Sequence, residues 1–264
     1  MLKTRVLTAL TLAPLVVLAV YLLPLWAFAL FVGGILCLAM YEWAALAGLS
    51  SPAGRASSIG LFAAAALALW WFPQGQQAVL YLAAAAWVVA TGIVLFHPAS
   101  VALVRSTASV GAFGLIMALG AWIALVTTRA GEHGGHWVMW LLLICWAADA
   151  GAYFAGRAFG RRKLALSISP GKTWEGAIGG LIVTLAVCGG LLAYAGQMSW
   201  GWVAMIVVLV AISVVGDLFE SVLKRAADIK DSGSLLPGHG GVLDRIDSVL
   251  AVAPTFAVLG ALVR

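Results

Sequence analysis

The sequence is dominated by long apolar runs, most of them close to the length that a helix needs to cross a lipid bilayer. A helix crosses the ~30 Å hydrocarbon core of a bilayer with ~20 residues. The runs are rich in Leu, Ala and Val and are much longer than ordinary strands, which favours spanning helices over a β-barrel. We therefore expect an all-α, polytopic integral membrane protein.

The balance of charged and apolar residues supports this expectation. Of the 264 residues, 64% are hydrophobic and 9% are charged, whereas a soluble domain is about 25% charged. The net charge of +5 would suggest a nucleic-acid partner in a soluble protein. In a membrane protein, basic loops that set the orientation explain the charge, so we expect no nucleic acid. The three cysteines lie far apart in apolar runs, which argues against a disulfide framework or a zinc site.

Hydropathy and helix breakers predict about nine spans. Pro24 and Pro73 separate two pairs of neighbouring runs. We treat the chain as a single membrane domain, with N-terminal helices in 1–130 and C-terminal helices and polar loops in 137–264. The predicted spans are 6–23, 25–47, 58–73, 77–96, 107–127, 137–156, 174–195, 201–223 and 246–263.

The basic residues predict the orientation of these spans. The side opposite the N-terminus holds only Arg129 and Arg264. The remaining thirteen fall at the N-terminus or in connections after even-numbered spans: Lys3, Arg5, Arg55, Arg105, Arg157, Arg161, Arg162, Lys163, Lys172, Lys224, Arg225, Lys230 and Arg245. Because loops rich in Lys and Arg stay in the cytosol, we expect the N-terminus and both long polar loops on the cytosolic side. The membrane would be a bacterial inner (plasma) membrane, with an organelle membrane as the alternative.

Three acids lie at least five residues inside predicted spans, toward their cytosolic ends: Glu42, Asp149 and Asp217. Placing a carboxylate in hydrocarbon costs on the order of 3 kcal/mol. We therefore predict that these acids share a polar cavity that opens to the cytosol. The alternative is that each is paired locally in a structural role, above all Glu42 and Asp149.

Polar residues cluster at the end of the eighth span. Two acids, a serine and a lysine follow the spacing i, i+3, i+4, i+7 of one helix face, which indicates a helix that lines a site. These residues are Asp217, Glu220, Ser221 and Lys224.

The loop that follows is rich in glycine around His239. Gly240 and Gly241 allow backbone N–H groups to turn toward an anion, and His239 would contact phosphate or pack. Asp244 and Asp247 then stand i, i+3 at the start of the last helix, where carboxylates are stable.

Carboxylates beside basic side chains predict metal-assisted phosphoryl or nucleotidyl transfer. Mg²⁺ normally binds through a few carboxylates, water and substrate phosphate. The basic residues suit an anionic substrate: Lys224, Arg225, Lys230 and Arg245. The alternative is that these charges form salt bridges in a cytosolic loop.

A second polar cluster runs from Asp149 to Gly176, in the connection between the sixth and seventh spans. Gly171-Lys172-Thr173 is not a Walker A motif, because position 166 is Leu where glycine is needed. Ser169-Pro170 predicts a helix cap with proline in the first turn, beside which Lys172 could hold a phosphate. The basic run 161–163 fits either orientation or binding of anionic lipid headgroups.

The 27 residues from Ser221 to Asp247 resemble, without a break, the signature of the phosphatidate cytidylyltransferase (CDP-diacylglycerol synthase) family. The segments 149–153 and 169–176 resemble two further blocks of that family. The first 130 residues match it only in hydropathy and length.

This resemblance implies an all-helical membrane enzyme of phospholipid biosynthesis. It would transfer the cytidylyl group of CTP to phosphatidic acid and give CDP-diacylglycerol and pyrophosphate. The resemblance also implies Mg²⁺, with a second divalent or monovalent ion left open, and a homodimer.

The resemblance assigns roles to individual residues. The metal ligands would be Asp217, Asp244 and Asp247, and catalytic roles would fall to Lys172, Ser221, Lys224, Arg225 and Asp247. We expect contacts with substrate and phosphate from Asp149, Ser169, Thr173, Lys230, His239, Gly240, Gly241 and Arg245.

Two other functions stay open. A CTP-dependent lipid kinase of the polyprenol type would need a base for its hydroxyl acceptor, and the unbroken signature disfavours it. A cation transporter could use Asp149 and Asp217, but it would not explain the glycine-rich loop or Arg245.

Overall fold

The structure is a computed structural model that describes residues 2–233, 235 and 240–260, with only the backbone described for residues 2–10. Long helices make up most of this part of the chain. In chain order they are α1 (Leu2–Leu22), α2 (Leu25–Leu46), α3 (Pro52–Trp71), α4 (Gln76–Leu95), α5 (Thr107–Ala130), α6 (Gly134–Phe159), α7 (Trp174–Thr184), α8 (Gly190–Tyr194), α9 (Trp200–Ala226) and α10 (Leu243–Leu259). A π-helical turn at Leu185–Gly189 makes α7 and α8 one continuous rod.

A helix lies on each predicted span, and the predicted all-α membrane class is confirmed. Within the described residues, seven helical segments are long and apolar enough to cross a membrane: α2, α3, α4 with the short turn before it, α5, α6, the α7–α8 rod and α9. The predicted spans 6–23 and 246–263 fall on α1 and α10, and the second of them ends outside the described residues. The count of nine spans therefore stays a prediction.

Several helices begin at a hydroxyl side chain that caps the first turn. Ser51 Oγ accepts a hydrogen bond from Gly54 N, and Pro52 occupies the first helical position. Such caps satisfy N–H groups that have no partner inside the helix. The cap explains why α3 starts six residues before the predicted span 58–73, which hydropathy alone placed after the polar residues.

Four buried tryptophans join helices that are distant in sequence, each by donating its indole N–H to a main-chain carbonyl of another helix. The bonds are Trp43 to Val110 (2.8 Å), Trp87 to Leu250 (2.9 Å), Trp122 to Ala29 (3.0 Å) and Trp140 to Cys188 (3.1 Å). An indole combines a large apolar surface with one donor, so each residue contributes both packing and a fixed attachment point.

The connection between α6 and α7 contains a short antiparallel hairpin, β1 (Lys163–Ala165) and β2 (Ser169–Thr173). The prediction that Ser169-Pro170 caps a helix was wrong. The helix begins at Trp174, and Thr173 Oγ caps it by accepting Gly176 N at 3.1 Å. Pro170 is compatible with a two-stranded hairpin, whose strands are both edge strands where a missing N–H is tolerated.

Helices α6 and α7 pack with their backbones close together, because glycines face each other. A Cβ on Gly180 would lie 2.7 Å from the carbonyl oxygen of Ala148. A Cβ on Gly151 would lie 2.9 Å from the carbonyl oxygen of Gly179. This pair of helices forms one wall of the cavity described next.

Candidate active site

A cavity of about 520 Å³ lies between α6, the hairpin, α7, α9 and α10. It has polar residues from all of these elements except α7, and small or apolar residues from α6, α7 and α9. Its lining is Ala148, Asp149, Ala152, Tyr153, Gly156, Arg157, Leu164, Gly171, Lys172, Thr173, Gly176, Ala177, Gly180, Val210, Ser213, Val214, Asp217, Asp244, Arg245 and Asp247. The two sequence clusters, 149–176 and 217–247, therefore meet at one place.

Only two of the three acids that were predicted to share a cavity line it. Asp149 and Asp217 both line this cavity, as predicted. Glu42 is not among its lining residues, and for Glu42 the expectation of a shared cavity was wrong. The opening of the cavity toward the cytosol stays a prediction.

Lys172 reaches from β2 across the cavity to α9. Its ammonium nitrogen lies 2.6 Å from a carboxylate oxygen of Asp217. Both side chains keep part of their surface accessible, 24% for Lys172 and 38% for Asp217. The pair can therefore exchange its partners for a substrate without first opening a buried core.

Lys224 bridges two acids at a more buried position. Its ammonium group donates to Glu220 at 2.8 Å and to Asp244 at 2.7 Å. The side chains of Glu220 and Asp244 are only 3% and 8% exposed. The predicted stripe on α9 is thus divided, because Asp217 faces the cavity while Glu220 and Lys224 form a network with α10.

Asp244 is held by the loop that precedes its own helix. Its second oxygen accepts hydrogen bonds from Ser232 N (3.2 Å), Ser232 Oγ (2.9 Å) and Gly241 N (2.8 Å). Burial would raise the pKa of the Asp244 carboxyl, but the hydrogen bonds from Lys224, Gly241 and Ser232 outweigh it and lower the pKa below its ordinary value.

Glu42 of α2 is buried against the same loop, where it binds main-chain N–H groups at the start of α10. It is 2% exposed, and its carboxyl oxygens accept Val242 N at 3.1 Å and Leu243 N at 2.8 Å. Ser232 Oγ lies 3.4 Å from it. The alternative of local pairing is therefore the correct one for Glu42.

The remaining predicted site residues lie partly in the cavity lining and partly outside it. Thr173 and Arg245 line the cavity, whereas Ser169, Ser221, Arg225 and Lys230 lie outside its lining. Arg225 and Lys230 are exposed. Gly240 has φ +81, a backbone conformation that favours glycine, and a Cβ there would lie 2.9 Å from Asp244 Oδ2. His239 lies outside the described residues.

Three polar residues that line the cavity had no predicted site role: Tyr153 and Arg157 of α6, and Ser213 of α9. Ser213 of α9 lines the cavity beside Asp217. It stands four residues before Asp217, on the same helix face, so the spacing could have identified it.

Within the part of the chain that the structure describes, the acids of the cavity could supply only part of the coordination shell of a metal ion. Across residues 2–233, 235 and 240–260, no three His, Cys, Asp or Glu side chains form a group that could hold one ion. Asp217 and Asp247 nevertheless line the same cavity. Mg²⁺ commonly uses one or two carboxylates and completes its shell with water and substrate phosphates. The assignment of Asp217, Asp244 and Asp247 as ligands stays a prediction.

Comparisons with known proteins identify the family of the chain. The sequence model of the cytidylyltransferase family matches residues 3–263. The chain is 43% identical to the phosphatidate cytidylyltransferase of Pseudomonas aeruginosa, over 98% of this chain and 97% of that protein. It is 36% identical to the phosphatidate cytidylyltransferase of Haemophilus influenzae, over 97% and 98%. The match includes the first 130 residues, where hydropathy alone had indicated a likeness. The predicted resemblance is confirmed, and the chain belongs to the cytidylyltransferase family.

Proposed function

We propose that this integral membrane protein transfers the cytidylyl group of CTP to phosphatidic acid, giving CDP-diacylglycerol and pyrophosphate. Membership of the family supports the reaction class, and the names of the similar proteins support the lipid acceptor. The observation that carries the proposal is the cavity itself. It combines cationic Lys172, Arg157 and Arg245 with apolar Val210 and Val214, which suits a charged nucleotide and a lipid together.

The chemistry needs no general base. A phosphate oxygen of phosphatidic acid attacks the α-phosphorus of CTP, a new P–O bond forms, and the bond to the β-phosphate breaks. Pyrophosphate leaves with the electron pair. Because the attacking phosphate is already anionic, the main obstacle is repulsion between two anions.

The cationic side chains of the cavity address this obstacle. Lys172 starts in an ion pair with Asp217 and can turn toward substrate phosphate, while Arg245 presents a guanidinium group from the first turn of α10. Fixed charges placed where negative charge accumulates lower the barrier, and holding both substrates in line adds to this effect.

We further propose that Mg²⁺ binds together with CTP to acids drawn from Asp217, Asp244 and Asp247, all three of which line the cavity. When bound, the ion would neutralise charge on the phosphates and assist the departure of pyrophosphate. We also propose that the cavity faces the cytosol of a bacterial inner membrane, in agreement with the distribution of basic residues. The homodimer implied by the family resemblance stays a prediction.

A dual-label assay tests the reaction. The purified protein in mixed micelles with phosphatidic acid and Mg²⁺ would receive CTP labelled either in the cytosine ring or at the γ-phosphate. We expect the ring label to enter the lipid phase while the γ label leaves as pyrophosphate, in equal amounts. Entry of the γ label into lipid would instead identify a kinase, and no label in lipid would contradict both reactions.

A further inference from the structure

We propose that Glu42, from the second helix of the chain, is a positioning residue that caps α10 from outside and so fixes the active-site acids on that helix. The proposal rests on the proposed function for its activity readout. Its structural part can be tested without any turnover.

The start of α10 lacks a cap of its own. Its N-cap residue is Val242, which has no side chain able to accept a hydrogen bond. The first N–H groups of a helix have no partner within the helix and need an acceptor from elsewhere. Glu42 supplies two, because its carboxyl oxygens accept the N–H groups of Val242 and Leu243.

The surrounding loop leaves space for this carboxyl group. A Cβ on Gly233 or on Gly241 would collide with the carboxyl atoms of Glu42. Ser232 Oγ lies between Glu42, at 3.4 Å, and Asp244, at 2.9 Å. Glycines on both sides and one bridging hydroxyl therefore bring the loop tightly around the Glu42 side chain.

The first turn of α10 is also the part of that helix that reaches the cavity. Asp244, Arg245 and Asp247 all line it, and they begin one residue after the N–H groups that Glu42 binds. A shift or rotation of this turn would displace all three side chains at once. In-line transfer depends on such alignment, and misplacement by about 1 Å can cost on the order of 10²-fold in rate.

The decisive variant is Glu42→Gln, which keeps the size of the side chain but places an NH₂ donor against N–H donors. The matched control is Trp43→Phe, which alters the next residue of α2 and removes a bond to Val110 of α5 instead. We expect both variants to lower the melting temperature in detergent. We expect Glu42→Gln to lower kcat at least tenfold and Trp43→Phe to stay within threefold of the unaltered protein.

Hydrogen exchange shows where the effect lies, because a general loss of stability would speed the exchange of many amides, whereas loss of the cap acts first on two. The amides of Val242 and Leu243 should exchange at least tenfold faster in Glu42→Gln, but not in Trp43→Phe. Glu42→Asp, which keeps two acceptor oxygens on a shorter side chain, should restore part of both kcat and protection. If Glu42→Gln does not fold, kcat and hydrogen exchange at Val242 and Leu243 are measured in Glu42→Asp instead. We then expect losses of kcat and of protection that are smaller than those given for Glu42→Gln.

Two results would overturn the proposal. One is a kcat within threefold of the unaltered protein in folded Glu42→Gln, or an unchanged kcat in Glu42→Asp if Glu42→Gln does not fold. The other is an equal loss of activity in Trp43→Phe at an equal loss of melting temperature. If the unaltered protein made no CDP-diacylglycerol, the proposed function would fail while faster exchange at Val242 and Leu243 would still identify the cap.

Discussion

The ammonium nitrogen of Lys172 lies 2.6 Å from the carboxylate of Asp217, so the hairpin after α6 is tied to α9 across the cavity. These residues are 45 positions apart and belong to the two separate polar clusters of the sequence. Their contact makes the two clusters parts of one site.

We predict that Lys172→Met lowers kcat/KM by about 10²-fold, because it removes a fixed charge next to the reacting phosphates. The double variant with Asp217→Asn should lose less than the product of the single losses, since the two side chains contact each other. Cytidylyl transfer to phosphatidic acid measures this. Lys163→Met, an exposed position of the same hairpin, should stay within twofold, and additive losses would contradict the coupling.

Removal of the buried cation should destabilise the protein strongly. Lys224→Met would leave the carboxyl groups of Glu220 and Asp244 without their shared partner, and breaking a buried ion pair from one side costs about 3–5 kcal/mol. We expect a clear fall in the melting temperature in detergent. Arg225→Met, at the exposed neighbouring position, should change the melting temperature little, and equal effects would contradict the network.

A matched pair of glycine variants should separate close helix packing from helix propensity. Gly180→Ala places a Cβ 2.7 Å from the carbonyl oxygen of Ala148, and such overpacking costs about 1–3 kcal/mol. It should lower both the melting temperature and activity, because α6 and α7 form a wall of the cavity. Gly190→Ala lies on the same rod with nothing within 4 Å of the new Cβ. It should be neutral or stabilising by up to about 1 kcal/mol.

Chelation of divalent ions should abolish activity, and added Mg²⁺ should restore it. We expect Asp217→Asn to raise the Mg²⁺ concentration for half-maximal activity at least tenfold, because one of the proposed carboxylate ligands becomes a weaker donor. Titration of Mg²⁺ at fixed CTP measures this. Glu132→Gln, at an exposed position outside the cavity lining, serves as the control. Undiminished activity with excess chelator would contradict the metal assignment.

The helices were predictable because the signal for each one is local. An apolar run of ~20 residues indicates a helix regardless of its neighbours, and each predicted span coincides with a helix in the structure. The meeting of Asp149 with Asp217 was also predictable, because the charge distribution placed both near one membrane side. The sequence therefore indicated the cavity before the packing was known.

The hairpin and the role of Glu42 were not predictable in the same way. Strands of three and five residues are too short to show a periodic pattern, and proline beside serine fits a helix start equally well. The partners of Glu42 lie 190 to 201 positions away. No local pattern distinguishes a carboxylate that caps a distant helix from one that lines a cavity.

Two hydrogen bonds join early and late parts of the chain: Trp87 donates to Leu250, and Leu243 donates to Glu42. They have a consequence for biosynthesis. A ribosome delivers α2 and α4 to the membrane long before α10. Until α10 is in place, the indole N–H of Trp87 lacks the acceptor that Leu250 provides, and the carboxyl group of Glu42 lacks the donor that Leu243 provides. Helix α10 thus completes the attachment of α2 and α4, and the cavity receives the side chains of its α10 wall only once this helix has been delivered.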